Sequence, residues 1–219
     1  PIFEGKLLKR LFYLSVWSML HSFISMAPWF LFFIAIEHLG KMELAVSNIT
    51  RSVSTLFFVI VSSLGATNGS LVSNLLGAGQ QKGVFPICHK IIKMGYAIGF
   101  PLVGVALFCD YWIIGFYTNN ETLVQHTVPP FIVKLFNYIF AVPGYVYISA
   151  VTGTGKTKIA FIFQVVTIMV YLLYLYWLSH CVHAPLAVYM TTEYLFVIML
   201  GIQSVSYTHL RAHETLMNL

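Results

Sequence analysis

Six apolar runs follow one another along this chain with only short polar connections between them, and each is close to the ~20 residues that a helix needs to cross a hydrocarbon core. They extend from Leu11 to Ile36, about Val53 to Leu76, about Met94 to Phe116, Phe131 to Ala150, Ile159 to Leu178 and Leu186 to about Gln203. No connection is long enough to hold a soluble domain. In lipid the backbone must satisfy itself, so a chain with this pattern is expected to be all-α, a polytopic membrane protein of six transmembrane helices. Composition agrees: 58% of residues are hydrophobic, 16% aromatic and only 9% charged. That is too much apolar surface for one soluble core. The net charge of +5 would suggest a nucleic-acid partner in a soluble protein. Here the basic residues lie between apolar runs, which excludes that reading and makes lipid the expected partner.

Six crossings make a second, independent demand on the connections. Alternate ones should be rich in Lys and Arg and the others poor. Lys6, Lys9, Arg10, Lys82, Lys90, Lys93, Lys156 and Lys158 fall on one side, against Lys41 and Arg51 on the other, where Glu37 and Glu43 partly offset them. The remaining outer connections, Tyr117 to Thr127 and Ser179 to Ala184, hold no Lys or Arg. The start of the chain is therefore expected in the cytoplasm, with the protein in the inner (plasma) membrane.

Ala150 to Lys158 superficially resembles a phosphate-cradling loop. Such a loop needs glycine, four residues, then Gly-Lys-Ser/Thr, leaving a strand and opening a helix. Counting back from Gly155-Lys156-Thr157, the required glycine is Ala150, and long apolar runs flank both sides. The stretch reads instead as a cytoplasmic turn, with Gly153 and Gly155 allowing the bend and Lys156 and Lys158 holding it at the inner face. Cys88, Cys109 and Cys181 are too widely spread for a zinc cluster and odd in number, so they read as packing residues. No nucleophile–base pair or complete phosphate loop stands in the chain, so no enzyme activity and no cofactor are expected.

Small and polar residues concentrate in the second run: Ser62, Ser63, Gly65, Ala66, Thr67, Asn68, Gly69, Ser70, Ser73, Asn74, Gly77, Ala78 and Gly79. They permit close helix approach, and the two amides need partners away from lipid. Pro28, Pro101 and Pro143 interrupt helices at membrane depth, which requires neighbours to satisfy the freed carbonyls. The run Gly65 to Gln80, with its Leu-Gly-Ala-Gly ending, resembles the eighth-helix signature of the multidrug and toxic compound extrusion (MATE) transporters. Ala150 to Lys158 is similar to that family's turn between its tenth and eleventh helices, and the spacing between the motifs fits three intervening passes.

The resemblance, covering Leu7 to about Gln203, implies the C-terminal lobe of a bacterial-type transporter built from two six-helix lobes. Residues 1–10 then correspond to the inter-lobe linker, residues 11–203 to the lobe, and the N-terminal lobe of the same polypeptide becomes a missing partner. The implied function is secondary-active efflux: antiport of small cationic or amphipathic compounds against protons or sodium, by alternating access between lobes. A lipid-linked oligosaccharide flippase of the same superfamily is the alternative. From Val205 the chain reads Val-Ser-Tyr-Thr-His-Leu-Arg-Ala-His-Glu-Thr, which matches a translation of a common sequencing-library adapter. Residues 204–219 are therefore expected to be non-biological, and the His209–His213 pair to be no metal site.

Ionisable groups inside a membrane mark function by default. Glu193, about two turns into the sixth run, is the expected ion-coupling carboxylate, or a partner of Lys134; His21 in the first run is a second ion-coupling candidate. Lys134, about one turn into the fourth run, reads first as snorkelling to the outer interface and second as a substrate-path residue. Asn68 and Asn74 are the other substrate-path candidates. His180-Cys181-x-His183 gathers metal-binding side chains without a fourth partner, so no metal is expected there.

Overall fold

The computed structural model describes residues 5–182 and 184–217, with the side chains of 7, 10 and 209–217 excepted. The first four residues of the expected linker, His183 and the side chains of His209 and His213 thus lie outside the described residues. Nine α-helices are present among the described residues: α1 (Gly5–Ser25), α2 (Ala27–Glu37), α3 (Lys41–Gly77), α4 (Val84–Phe108), α5 (Asp110–Gly115), α6 (Glu121–Gly153), α7 (Thr157–Trp177), α8 (Leu186–Tyr189) and α9 (Thr192–Met217). No strand occurs among them. Six segments are long and apolar enough to span a bilayer: Leu11–Glu37, Lys41–Gly77, Gln81–Phe108, Glu121–Gly153, Thr157–Val182 and Leu186–Thr208. The first joins α1 to α2 across Met26, where Pro28 supplies no N–H to continue the ladder.

Three expected spans begin too late. The second helix starts at Lys41, so Lys41 and Arg51 are helical and not loop residues, and the Arg51 guanidinium lies over the Phe33 ring at 4.9 Å. The third begins near Gln81 and ends at Phe108, not Phe116; Cys109 breaks it, and Asp110 opens the short α5 by accepting from the Tyr111 N–H at 2.7 Å. The fourth starts at Glu121, ten residues before Phe131, because Asn120 caps it through the Leu123 N–H and Glu121 complements the helix dipole. Pro129 and Pro130 are carried inside this helix. Beyond Gln203, α9 continues as helix to Met217.

The middle of the bundle is α6, which packs most extensively on α3 and then on α9 and α4, while α7 packs equally on α1 and α9. Gly65, Gly69 and Ser73 of α3 form a small-residue stripe at four-residue spacing. A methyl group on Gly69 would approach the Ser149 carbonyl to 3.2 Å, and Ser73 Oγ donates to the Gly153 carbonyl at 2.8 Å. Such stripes let helix backbones touch, which replaces the missing hydrophobic drive between helices in lipid. Gly153 belongs to this contact and not, as expected, to the bend: a Cβ there would stand 2.5 Å from the Gly69 oxygen. The bend itself falls on Gly155, at φ +75°, and α3 ends in the same way on Gly79, at φ +73°. At that end the Gln80 N–H donates to the Leu75 carbonyl and the Gly79 N–H to the Leu76 carbonyl, a Schellman closure.

One intramembrane proline shows how its missing bond is replaced. Pro143 frees the carbonyl four residues earlier, that of Ile139. Tyr96 Oη of α4 donates to this oxygen at 2.7 Å.

Candidate functional site

The site begins with a break in the sixth span. The chain turns at Met190 and Thr191 between α8 and α9, so the first turn of α9 starts within the span. Thr192 Oγ1 donates back to the Tyr189 carbonyl at 2.7 Å, and Glu193 sits in that first turn. A carboxylate here sits at the positive end of the helix dipole, while the Glu193 N–H bonds back to the Met190 carbonyl and the Tyr194 and Leu195 N–H groups to that of Thr191. The signal was in the sequence as Thr191-Thr192-Glu193, hydroxyls followed by an acid at a helix start, although the run was read as one unbroken span.

Opposite Glu193 stands α6. Lys134 Nζ forms an ion pair with Glu193 Oε1, and Asn137 Nδ2 donates to Glu193 Oε2 at 3.2 Å. This is the one salt bridge among the described residues, with the Lys134 side chain 7% and the Glu193 side chain 19% exposed. Snorkelling is thereby overturned. Because α6 begins at Glu121, Lys134 lies 13 residues along it, about 20 Å at ~1.5 Å per residue, too far for its stem to return to the start of that helix. Asn137 was missed by sequence reasoning, but its position three residues after Lys134 puts it on the same helix face. Its Oδ1 is buried without a partner, leaving one amide acceptor beside the carboxylate.

Around this group the helices leave a cavity of about 110 Å³, room for several waters. α2 supplies Pro28, Trp29 and Phe32; α3 supplies Ser54, Thr55, Phe57, Phe58 and Val61; α6 adds Tyr138 and Tyr145, and α7 adds Tyr171. Lys134 Nζ lies 4.9 Å from the centre of the Trp29 ring, so one ammonium meets both a carboxylate and an aromatic face. Tyr171 Oη donates to the Pro28 carbonyl at 3.3 Å, tying α7 to the kink between α1 and α2. Tyr194, beside Glu193, donates to the Val133 carbonyl, beside Lys134. Both charged residues are therefore held by their neighbours' bonds as well as by each other.

The other expected site residues lie elsewhere. Asn68 is fully buried away from the cavity, where Nδ2 donates to the Val146 carbonyl at 2.8 Å and contacts Ser149 Oγ and Cys88 Sγ at 3.5 Å. It fastens α3 to α6. Asn74 is exposed near the end of α3 and also does not line the cavity. His21 is half-buried one turn before the cavity-lining Ser25, with Nε2 lacking a partner. Gly153 is the last residue of α6 and Thr157 the first of α7, with Gly155 and Lys156 in the turn between these helices and no strand entering it. Lys158 lies over the Trp17 ring at 5.5 Å. No group of three metal-ligating side chains occurs among the described residues.

A family model described as MatE matches residues 18–178. No curated protein sequence matches the chain significantly. Among solved structures, MATE in the bent conformation superposes with a TM-score of 0.80 at 14% identity, covering 91% of this chain and 44% of that one. A MOP superfamily transporter from Pyrococcus furiosus Vc1 (DSM3638), described for the reverse polarity of its binding pocket, gives 0.75 at 15%, with 90% and 43% covered. A multidrug resistance MATE family transporter of the MOP superfamily, in the outward-facing conformation, also gives 0.75 at 15%, covering 90% and 43%. The chain thus has their fold and spans less than half of their length.

Proposed function

The chain belongs to the MatE family, and on that premise we propose that it forms one six-helix lobe of a secondary-active exporter, completed by a second lobe of the same polypeptide. Its substrates are small cationic or amphipathic compounds, and its Lys-rich face is cytoplasmic. The observation that carries this reading is the Lys134–Glu193 pair, its lysine buried and its carboxylate half-buried in the wall of an aromatic cavity within two of the apolar spans.

A buried ion pair is tolerable only while both partners are charged; neutralising one leaves the other unpaired, at a cost of about 3–5 kcal/mol. A proton arriving on Glu193 therefore raises the free energy of this arrangement and shifts the population toward one in which Lys134 finds water. Departure of the proton restores the pair. Energy from an ion gradient is in this way converted into a change of packing around α2, α6 and α9. Both carboxylate oxygens are already engaged, Oε1 by the Lys134 ammonium and Oε2 by the Asn137 amide, which favours a proton over sodium as the coupling ion.

A flippase for lipid-linked saccharide would need free cations for a pyrophosphate. Lys134 is the only cation among the described lining residues and is already paired, which counts against that alternative. The test is Glu193→Gln in the full-length protein. Cells carrying it should lose export of a cationic dye while holding as much transporter in the membrane as wild type. Export at the wild-type rate would overturn the reading.

A further inference from the structure

Within the proposed exporter, the two groups best suited to hold an organic cation in this cavity are already occupied, and the occupant belongs to the protein. Glu193 is the only carboxylate among the described lining residues, and the Trp29 ring faces the ammonium that is paired with it. Lys134 Nζ takes both at once, paired with Glu193 and 4.9 Å above the Trp29 ring. Carboxylate plus aromatic face is the chemistry that recognises ammonium, phosphonium and similar cations. Asn137 reaches the second carboxylate oxygen and would stay in place when the ammonium left.

We propose that Lys134 is a tethered competitor: an internal cation that fills the cation site and that a substrate must displace to bind. Tethering sets a high local concentration for the competing charge, so substrate affinity is low in the state seen here and rises when Lys134 swings away. The same swing returns the lysine to expel the substrate later in the cycle. Lys134 thus acts as a specificity-determining residue through Glu193. Neutral ligands gain little from displacing it, since they cannot replace the charge that the carboxylate loses. Cations with an apolar body gain the carboxylate and the aromatic wall together.

The experiment compares binding of tetraphenylphosphonium to purified full-length wild type, Lys134→Met and Lys134→Met/Glu193→Gln. This probe carries a positive charge within four aromatic rings and donates no N–H or O–H hydrogen bond. Lys134→Met should bind it at least tenfold more tightly than wild type, and the added Glu193→Gln should remove that gain. Equal or weaker binding by Lys134→Met overturns the proposal, as does binding by neither protein. If Lys134→Met does not purify as a single species, Lys134→Gln replaces it with the same expected gain. Loss of export in Glu193→Gln together with unchanged binding in Lys134→Met would leave the coupling role standing and remove the competitor role. Normal export in Glu193→Gln with tighter binding in Lys134→Met would do the reverse.

Discussion

At the residue scale, Glu193 draws its partners from one neighbouring helix, and each acts on a different oxygen. Lys134 neutralises Oε1, and Asn137 donates to Oε2. Asn137→Ala removes a hydrogen bond to a charged group, which should lower stability by about 1.5–3 kcal/mol. Because the ion pair survives, uphill transport should fall several-fold without vanishing. Thermal unfolding and initial-rate transport check both parts, and wild-type values for both would contradict the role given to Asn137. The two charged residues were visible in the sequence because ionisable groups in apolar runs are rare. Their depth was not, since it depended on where the fourth helix begins. The apolar run begins only at Phe131, whereas Asn120 and Glu121 supply a helix start ten residues earlier. Asn68 shows a different difficulty. A buried amide reads alike as glue or as cavity lining until its acceptor is known, and that acceptor is the carbonyl of Val146, 78 residues away.

At the scale of elements, α6 must be both interrupted by prolines and packed closely enough to hold a charge pair in register. Tyr96 stabilises one interruption by bonding the Ile139 carbonyl. Tyr96→Phe should therefore cost about 1 kcal/mol and loosen α6 at the level of the cavity, read as a lower unfolding temperature; no change would show that the freed carbonyl finds another donor. Toward the other end, Gly153 meets the Gly69 backbone. Gly153→Ala should force α3 and α6 apart and destabilise by about 1–3 kcal/mol, more than the same change at Gly77, where a Cβ meets nothing within 4 Å. Equal effects at the two positions would sink this account of the crossing. The small-residue stripe was readable as a contact surface from its four-residue spacing. Which helix it contacts was not, because spacing on one helix carries no information about its neighbour.

At the scale of the whole molecule, hydropathy identified six spans, because bilayer thickness and backbone satisfaction leave few alternatives. The break between α8 and α9 escaped that reading, since hydropathy averages over the turn at Met190 and Thr191 that places a helix start inside the span. Orientation makes a separate prediction. Cys181, exposed in the turn after α7, should react with a membrane-impermeant maleimide added outside intact cells, whereas Lys156→Cys in a Cys181→Ser background should react only after permeabilisation. The reverse pattern would place the Lys-rich face outside.

The most direct test of the central claim, that the Lys134–Glu193 pair couples an ion gradient to movement of substrate, separates uphill transport from exchange. Full-length wild type and Glu193→Gln are reconstituted into liposomes, and accumulation of a cationic dye under an imposed pH gradient is measured beside gradient-free exchange. The account predicts that Glu193→Gln loses accumulation and retains measurable exchange. Accumulation by Glu193→Gln at the wild-type level would contradict it.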